Sequence, residues 1–443
     1  MAGSDSPRRL AWELLRVVWR EGAYANLAWP TLLAESNLEG PDRGFATELA
    51  YGSLRHWGQW GRVLEQAGGR SEDSLDPEVW WVLVLGVHQL LALETPAHAA
   101  VNESVELCKK VGKKSATGLV NAVLRKVAAY SHSGWLAILA SGVDAPIKKD
   151  AVRGAHPEWV ARLLLESLER EGRGGDLAAL LEAHNSPARV TLAVLDGAPE
   201  EPRTPFSPLG EYLDGVPGDD ARVRSGTARV QDEGSQLAAL VATGLGLPED
   251  AAVVDACAGP GGKTAVLGTY FSRVTALEQH EHRSALVRQA VRPQQHPAQV
   301  HTVDAVEYFQ AHQAEADLVV LDAPCLGLGA LRRRPEARWT KQEDDLTGLV
   351  RTQRELLAAA ISGLRPGGYC VYITCSPVVA ETTEQMAWIC QEVPELKVVP
   401  TGPILDSIAR VPVPDASVGS AVQLWPDRHG TDAMFIQVLQ LQA

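Results

Sequence analysis

The chain has 443 residues, of which 45% are hydrophobic and 22% charged, and its formal net charge is −14 at pH 7. A chain of this length is too long to fold around a single hydrophobic core, so roughly two to four domains are predicted. The longest dense apolar stretch, Val79 to Glu94, is shorter than the roughly 20 residues that cross a bilayer, so a membrane span is excluded.

The start of the chain, MAGSDSPRRLAWELL, has no separate apolar segment followed by a small-residue cleavage site, so it does not resemble a secretory signal. None of the six cysteines stands at C-x-x-C spacing, so we expect reduced thiols, not a zinc site or a disulfide framework. We therefore expect a cytoplasmic monomer without a metal.

Residues 1–135 are predicted to form an all-α domain. In RRLAWELLRVVWREG, the apolar residues Leu10, Leu14 and Val17 recur at helical spacing. Asp76 is a candidate N-cap, and Pro77 suits the first position of the helix that follows. No strand pattern interrupts this part of the chain.

The rest of the chain divides into two parts. Residues 145–225 mix helical and strand-like runs and predict a small α+β connector. Residues 226–443 alternate strand runs with helical runs, which is typical of a doubly wound parallel α/β sheet. Its last run, MFIQVLQLQ, is predicted to be the final strand.

A glycine-rich loop follows the first of these strand runs. It reads DACAGPGGKT from Asp255 to Thr264 and matches neither the P-loop pattern nor G-x-G-x-x-G. Glycines after a strand let the backbone pass close to a ligand. The loop therefore predicts a nucleotide-like cofactor site, with a tight structural turn as the alternative.

The next two strand runs end in acidic residues. Glu278 lies roughly 20 residues beyond the loop, where a carboxylate can accept hydrogen bonds from ribose hydroxyls. Asp304 is placed to accept from the exocyclic amine of a purine. Each acid alone is more commonly a solvated strand-end residue, but together with the loop they indicate an adenosine site.

Two cysteines also follow strand runs. Cys325 closes ADLVVLDAPC and Cys375 closes GGYCVYITC, and Asp322 stands three residues before Cys325. Residues at the carboxyl ends of parallel strands meet at one edge, so two candidate nucleophiles and an acid are expected in one cleft. The alternative for any cysteine is a small buried hydrophobe, the interpretation we give to Cys108, Cys370 and Cys390. The residues alone do not choose the nucleophile.

Three motifs in this region resemble those of the RNA cytosine-C5 methyltransferases that use S-adenosylmethionine, the NOL1/NOP2/Sun family. The motifs are DACAGPGGKT, LDAPCLGLGALRRRPEARW and YITCSPVVAETTEQM. The segment RVQDEGSQLAA is similar to the family's entry into its catalytic domain. PAHAAVNESVELCKK and ATGLVNAVLRKV resemble the NusB-like RNA-binding domain of the bacterial RsmB (Sun/Fmu) subgroup.

The resemblance implies a fold, a reaction and a role for each residue. It implies an all-α NusB-like domain, an α+β connector and a Rossmann-like methyltransferase domain that methylates C5 of a cytosine in 16S rRNA before full 30S assembly. Cys375 would attack C6, Cys325 would assist release, Asp322 would act at N3, and Lys263 would lie near base and cofactor. The implied S-adenosylmethionine pocket is Cys257, Ala258, Gly259, Pro260, Gly261, Gly262, Lys263, Glu278, Asp304 and Asp322.

The chain departs from the family pattern at three positions. Gly259 replaces the usual alanine, a change that the loop is expected to tolerate. Leu326 stands where serine is usual after the Pro-Cys motif, which removes a hydroxyl beside Cys325. Thr382 replaces the asparagine of a Glu-Asn-Glu stretch that otherwise keeps Glu381 and Glu384. The thiols and Asp322 are intact, so an active enzyme is expected.

Other functions remain open at this point. A DNA cytosine-C5 methyltransferase also has a Pro-Cys loop, but Cys375 and the NusB-like domain favour RNA. The substrate alternatives are tRNA and 23S rRNA. A non-catalytic RNA-binding assembly factor and a transcription antitermination factor are further alternatives, since a shared fold does not fix function.

Overall fold

The computed structural model describes residues 6–442. Residues 1–5 and 443 lie outside the described residues. The first five belong to the predicted helical domain and to the stretch compared with a secretory signal, and residue 443 is the last of the predicted catalytic domain. Within the described part of the chain, no helix is both long enough and apolar enough to cross a membrane.

The α-helices of the described residues are, in chain order, α1 (Pro7–Glu21), α2 (Ala25–Glu35), α3 (Gly40–Arg55), α4 (Trp57–Gly68), α5 (Pro77–Leu91), α6 (Ala97–Lys110), α7 (Thr117–Val127), α8 (His132–Ala140), α9 (Pro146–Arg153), α10 (Glu158–Arg170), α11 (Leu177–Asn185), α12 (Ala221–Ser225), α13 (Glu233–Thr243), α14 (Gly262–Leu267), α15 (Glu281–Val291), α16 (Ala305–Ala311), α17 (Ala337–Thr340), α18 (Asp345–Ser362), α19 (Thr383–Glu392), α20 (Thr401–Ile408) and α21 (Pro426–His429).

The strands of the described residues are β1 (Thr191–Val194), β2 (Gly210–Tyr212), β3 (Ala228–Val230), β4 (Ala252–Asp255), β5 (Arg273–Glu278), β6 (Gln299–Thr302), β7 (Ala316–Asp322), β8 (Leu364–Thr374), β9 (Leu396–Val399), β10 (Ser417–Val418), β11 (Ala421–Gln423) and β12 (Phe435–Leu441).

The chain forms two compact units. Unit 1 holds the residues up to Leu165 together with Gly175–Ser186 and Leu331–Lys341. Unit 2 holds Glu166–Gly174, Pro187–Ala330 and the residues from Gln342 onward. The predicted connector is divided, because its helices lie mainly in unit 1 and its strands in unit 2. The predicted boundaries at residues 135, 145 and 225 stay a prediction.

The described part of unit 1 is built from helices, as the sequence predicts for its N-terminal part, and an apolar core lies among the helices up to Trp135. Asp76 caps α5 by accepting a hydrogen bond from the Glu78 N–H at 2.9 Å, and Pro77 takes the first helical position. The remainder of α5 is almost entirely buried, which explains why its sequence is apolar on every face. The helix is a core element and not a membrane span.

Unit 2 contains a small antiparallel sheet, ordered β2-β1-β3, and a larger mixed sheet. The larger sheet has the order β10-β11-β12-β8-β7-β4-β5-β6, with β9 paired to β12. The strands β4 to β8 pair in parallel, whereas β12 runs antiparallel to β8. The predicted doubly wound parallel sheet is confirmed for β4 to β8, and β12 adds an antiparallel strand beside β8. The predicted final strand is confirmed as β12.

Alternate residues of β7 enter different apolar cores on the two faces of this sheet. Leu318 and Val320 pack into one core, and Val319 and Leu321 pack into the other. A strand buried on both faces needs apolar residues throughout, and this accounts for the continuous run ADLVVL. Because β4 to β8 are parallel, their carboxyl ends share one edge, and the predicted site residues follow those ends.

Candidate active site

The predicted cofactor loop lies between β4 and α14. Gly261 has a φ of +98°, and a Cβ there would press against Ala290 of α15 at 2.6 Å. The Ala258 N–H donates to the carbonyl of Leu277 in β5 at 2.9 Å. The glycines therefore let the loop turn tightly against β5 and α15, and cofactor binding by the loop stays a prediction.

Glu278 at the end of β5 is nearly fully buried beside this loop. Its Oε2 lies 3.2 Å from Nη2 of Arg283, which also donates to the carbonyl of Gly259 at 2.9 Å. A Cβ at position 259 would collide with Glu278 Oε2 and would approach Arg283 Nε within 2.7 Å. Glycine in place of the usual alanine is accommodated here because it leaves room for this ion pair.

The other predicted pocket residues differ in exposure. The Cys257 side chain is partly buried. Burial is the largest cause that raises the pKa of its thiol above the ordinary value, and the nearby carboxylates raise it further. Asp304 is exposed and caps α16, since its Oδ1 accepts from the Val306 N–H at 2.8 Å. A capping role therefore accounts for Asp304 by itself, and contact with adenine stays a prediction.

Asp255 at the end of β4 is completely buried. Its Oδ2 accepts a hydrogen bond from Oγ1 of Thr264 at 2.7 Å, and its Oδ1 has no hydrogen-bond partner among the described residues. Burial is the main cause that raises the pKa of Asp255 to about 6, and the charge of Asp322 raises it further. The hydrogen bond from Thr264 and the charge of Lys263 lower it in part. This acid was not singled out as a site residue.

Lys263 and Asp322 form an ion pair with 2.6 Å between Nζ and Oδ2. Burial lowers the pKa of Lys263, but the charge and hydrogen bond of Asp322 and the negative charge of Cys375 outweigh burial and raise it. The ammonium group therefore stays charged at neutral pH. Asp322 is less buried, with 28% of its side chain exposed. This pair is the charged centre of the site.

The two predicted thiols lie together, with 3.4 Å between Sγ of Cys325 and Sγ of Cys375. The hydrogen bond with Cys375 raises the pKa of Cys325 well above its ordinary value, and burial and the negative charges of Cys375, Glu381 and Asp322 act in the same direction. Either sulfur can donate in this contact, so the geometry brings the two thiols together, and the roles of attack and release stay a prediction.

The loop that carries Cys325 is fastened to the end of β8. The Gly329 N–H donates to the carbonyl of Cys375 at 3.0 Å, and the Gly329 carbonyl accepts from the Ala433 N–H at 2.9 Å. A Cβ on Gly329 would collide with the Ala433 carbonyl oxygen. Only glycine therefore permits this close approach, which brings the two thiols together.

Glu381 fixes the same loop from another side. Its Oε1 accepts from the Leu326 N–H at 2.8 Å and from Nε2 of Gln353 at 3.0 Å. Because the loop contact uses the backbone of Leu326, it does not depend on which side chain stands there. The Leu326 side chain itself is buried. Thr382 is also buried, and its hydroxyl donates to the Val378 carbonyl at 2.9 Å.

Sequence reasoning assigned no role to several residues that shape this site. They are Asp255, Thr264, Arg283, Gly329, Gln353 and Glu381. Asp255 and Thr264 flank the glycine loop, and Gly329 and Glu381 belong to noted motifs, so those four carried a signal. Arg283 and Gln353 carried none, because their importance arises from contacts distant in sequence.

The remaining cysteines have structural explanations. Cys108 and Cys370 are buried in apolar cores, and Cys390 packs partly buried against one, as predicted. Within residues 6–442, no group of three or more histidine, cysteine or acidic side chains is arranged to hold a metal ion.

Comparisons with known families match both halves of the chain. Residues 242–440 match the model described as 16S rRNA methyltransferase RsmB/F, and residues 5–129 match the NusB family. A protein of Mycobacterium tuberculosis named as a methyltransferase is 41% identical, with 98% of this chain and 96% of that protein covered. The ribosomal RNA small subunit methyltransferase B of Vibrio cholerae is 31% identical, with 84% and 86% covered.

Solved structures show the same fold. The crystal structure of PH0851 matches with a TM-score of 0.81 at 20% identity, covering 99% of this chain and all of that one. A methyltransferase homologue from Pyrococcus horikoshii matches with a TM-score of 0.53 at 20% identity, covering 67% and 99%. With the family matches, these confirm a NusB-like helical domain and a Rossmann-like methyltransferase domain.

We expect Gly329→Ala to separate the two thiols, because the added methyl group collides with the Ala433 carbonyl. Overpacking of this kind costs about 1–3 kcal/mol of unfolding free energy. Methyl transfer should fall by at least about tenfold, since a displacement near 1 Å in a reacting group has effects of that size. Gly348→Ala on α18, where a Cβ meets no atom within 4 Å, is the control. Wild-type activity in Gly329→Ala would contradict the role of this contact.

Asp255→Asn should remove a pH dependence of stability. The pKa of Asp255 is raised from 3.8 to about 6 in the folded state. Its contribution to the free energy of unfolding is therefore fully present below pH 3.8 and is lost as pH rises through 6. Relative to the variant, the wild type should lose up to about 3 kcal/mol of unfolding free energy between pH 4 and pH 7. Denaturant titrations at several pH values measure this, and parallel curves would refute it.

Proposed function

Since the chain belongs to the RsmB/F family of S-adenosylmethionine-dependent 16S rRNA methyltransferases, we propose that it methylates C5 of a cytosine in 16S rRNA through a covalent cysteine adduct. The observation that carries this proposal is the pair of thiols 3.4 Å apart, next to the Lys263–Asp322 ion pair. A methyltransferase acting on an already nucleophilic atom needs no such pair.

The chemistry explains why a thiolate is required. C5 of cytosine is a poor nucleophile, and addition of Sγ of Cys375 to C6 moves the double-bond electrons toward C5. We assign the attack to Cys375 because it matches the thiol of the Thr-Cys-Ser motif in the family. Sγ of Cys325 lies 3.4 Å from its Sγ, and the charge of Cys375 acts on Lys263.

Asp322 and Lys263 assist the addition at the other side of the ring. A hydrogen bond or proton at N3 from Asp322, which the Lys263 ammonium group can reprotonate through their hydrogen bond, neutralises the charge that the addition creates. Bound S-adenosylmethionine would supply the methyl group that C5 acquires. Water then takes the C5 proton, the C–H electrons re-form the C5–C6 double bond, and the Cys375–C6 bond breaks to return the thiolate, with Cys325 assisting release from beside the departing sulfur.

The cofactor fits the residues around the glycine loop. Glu278 is a buried carboxylate beside the loop and suits the ribose hydroxyls, and Asp255 offers a buried oxygen without a hydrogen-bond partner among the described residues. The proposed pocket comprises Cys257 to Lys263, Glu278, Asp304 and Asp322. Lys263 and Asp322 belong to both pocket and base site, so they would hold the methyl donor next to the cytosine.

The RNA must present an accessible base. A base inside a helix stacks on its neighbours, so attack at C6 requires a base that is flipped out or lies in a single-stranded loop. We propose that the substrate is 16S rRNA before full 30S assembly, that the NusB-like helical domain contributes RNA binding, and that the protein acts as a monomer.

Cys375→Ser should abolish methyl transfer, whereas Cys325→Ser should slow release and accumulate a covalent protein–RNA adduct. The adduct is measured as a band of labelled RNA with reduced mobility on a denaturing gel. Methyl transfer is measured as incorporation of label from S-adenosylmethionine into the RNA. Cys390→Ser, on α19 and packed against a core, is the matched control. Turnover retained in Cys375→Ser, with attack lost in Cys325→Ser, would reverse the two roles.

Bisulfite sequencing of RNA from a deletion strain tests the substrate. We expect one 16S rRNA cytosine to lose its methyl group and to regain it when the wild-type gene, but not Cys375→Ser, is returned. Loss confined to tRNA or 23S rRNA would make the 16S assignment wrong. An unchanged pattern in all three RNAs would contradict the proposed reaction.

A further inference from the structure

One face of α18 is buried in unit 2, and a glutamine stands at the start of that face. The buried residues of the helix recur at positions i, i+3, i+4, i+7 and i+8, and they are Gln353, Leu356, Leu357, Ala360 and Ile361. The last four are apolar and pack into one core of the larger sheet. Gln353 has 0% of its surface exposed. A polar side chain therefore occupies a position at which the helical pattern favours an apolar one.

The amide nitrogen of Gln353 donates two hydrogen bonds next to Cys325. Nε2 donates to the Pro324 carbonyl at 2.9 Å and to Oε1 of Glu381 at 3.0 Å. The amide oxygen of Gln353 has no hydrogen-bond partner among the residues that the structure describes. A buried polar atom without a partner costs folding free energy, so an apolar residue would serve packing better. The presence of the amide is therefore explained by what its nitrogen holds.

These two acceptors hold the backbone on both sides of Cys325. Pro324 immediately precedes the cysteine, and the Glu381 Oε1 that accepts from Gln353 also accepts from the Leu326 N–H at 2.8 Å. We call the side chains of Gln353 and Glu381 the amide clamp. Both are completely buried, so water does not compete for their hydrogen bonds. The amide clamp therefore fixes the residues directly before and directly after the thiol.

The amide clamp is also joined to the strand that leads to the other thiol. The hydroxyl group of Tyr372 in β8 donates to the backbone carbonyl of Glu381 at 2.9 Å. Tyr372 is completely buried and stands three residues before Cys375 in the chain. All of these residues belong to unit 2. The contacts therefore set the position of Cys325 relative to the end of β8, where the two sulfurs lie 3.4 Å apart.

We propose that Gln353 is a positioning residue for Cys325. By donating to both the Pro324 carbonyl and Glu381, it keeps the Cys325 thiol beside Cys375, where it assists release of the methylated base. The effect on release rests on the proposed function. The effect on the distance between the two thiols does not, and it can be measured without any RNA.

Gln353→Met tests the two donated hydrogen bonds, because methionine has a similar length and suits the apolar face of α18 but donates nothing. Without these bonds the Cys325 loop should shift relative to Cys375. We expect decay of the covalent protein–RNA adduct to slow by about tenfold or more, as for small displacements of reacting groups. The rate of adduct formation and the dissociation constant of S-adenosylmethionine should stay close to the wild-type values. Single-turnover reactions with labelled RNA, followed on denaturing gels, measure both rates.

Oxidation of the thiol pair measures its geometry independently of methyl transfer. The azo oxidant diamide takes two electrons and two protons from a pair of thiols, becomes a hydrazine and leaves a disulfide. This requires the two sulfurs to approach to about 2.05 Å. We expect the Cys325–Cys375 disulfide to form in the full-length wild type and to form about tenfold more slowly in Gln353→Met. Mass spectrometry of the linked peptides gives the rates.

Gln236→Met is the matched control for the loss of a buried amide. Gln236 is also completely buried in unit 2, and its amide nitrogen also donates twice, to the carbonyls of Leu192 and Gln231. This variant should lose stability much as Gln353→Met does, but it should form the disulfide at the wild-type rate. If Gln353→Met does not fold, Tyr372→Phe is measured in its place, because it removes the hydroxyl group that joins the amide clamp to β8.

Slower disulfide formation together with slower adduct decay in Gln353→Met, but not in Gln236→Met, supports the proposal. A wild-type rate of either step in a folded Gln353→Met, or in the Tyr372→Phe replacement, overturns it. Equal slowing in Gln236→Met also overturns it, because the effect would then be one of stability alone. A wild type that forms no disulfide contradicts the contact on which the proposal stands. A wild type that forms the disulfide but no adduct refutes the proposed reaction, and the disulfide rates alone then decide whether Gln353 positions Cys325.

Discussion

The site depends on how the Cys325 loop is held against the end of β8. One hydrogen bond from the Gly329 N–H to the Cys375 carbonyl joins the two segments, and the absence of a side chain at Gly329 lets them approach. Glu381 holds the loop through the Leu326 backbone. The two thiols meet because of these backbone contacts, so the reactive pair is a consequence of loop geometry more than of the cysteines themselves.

The charges around the thiols follow from burial. Lys263 is buried, yet Asp322 and the charge of Cys375 raise its pKa. The contact with Cys375, burial and the nearby carboxylates raise the pKa of Cys325. Asp255 adds a further buried acid beneath the glycine loop, with a pKa of about 6. A water-filled cleft would screen these differences, whereas a buried one maintains them.

The segment Leu331–Lys341, which follows the Cys325 loop in the chain, packs into the helical unit 1 through Arg338, Trp339 and Glu336. The RRRPEARW stretch therefore contains both surface charge and buried anchors. Its arginines look alike in the sequence, yet Arg338 is completely buried and Arg334 lies over the ring of Tyr24.

The sequence by itself determined the strands β4 to β8, the final strand, the N-terminal helices and the capping of α5 by Asp76, because these depend on local periodicity and turn chemistry. It also placed Lys263, Asp322, Cys325 and Cys375 at one edge, because parallel strands end together. Tertiary structure alone decided the antiparallel pairing of β12 with β8, the contact between the two thiols, the Glu278–Arg283 pair and the burial of Arg338. These depend on residues far apart in the chain, whose distances and desolvation no local pattern encodes.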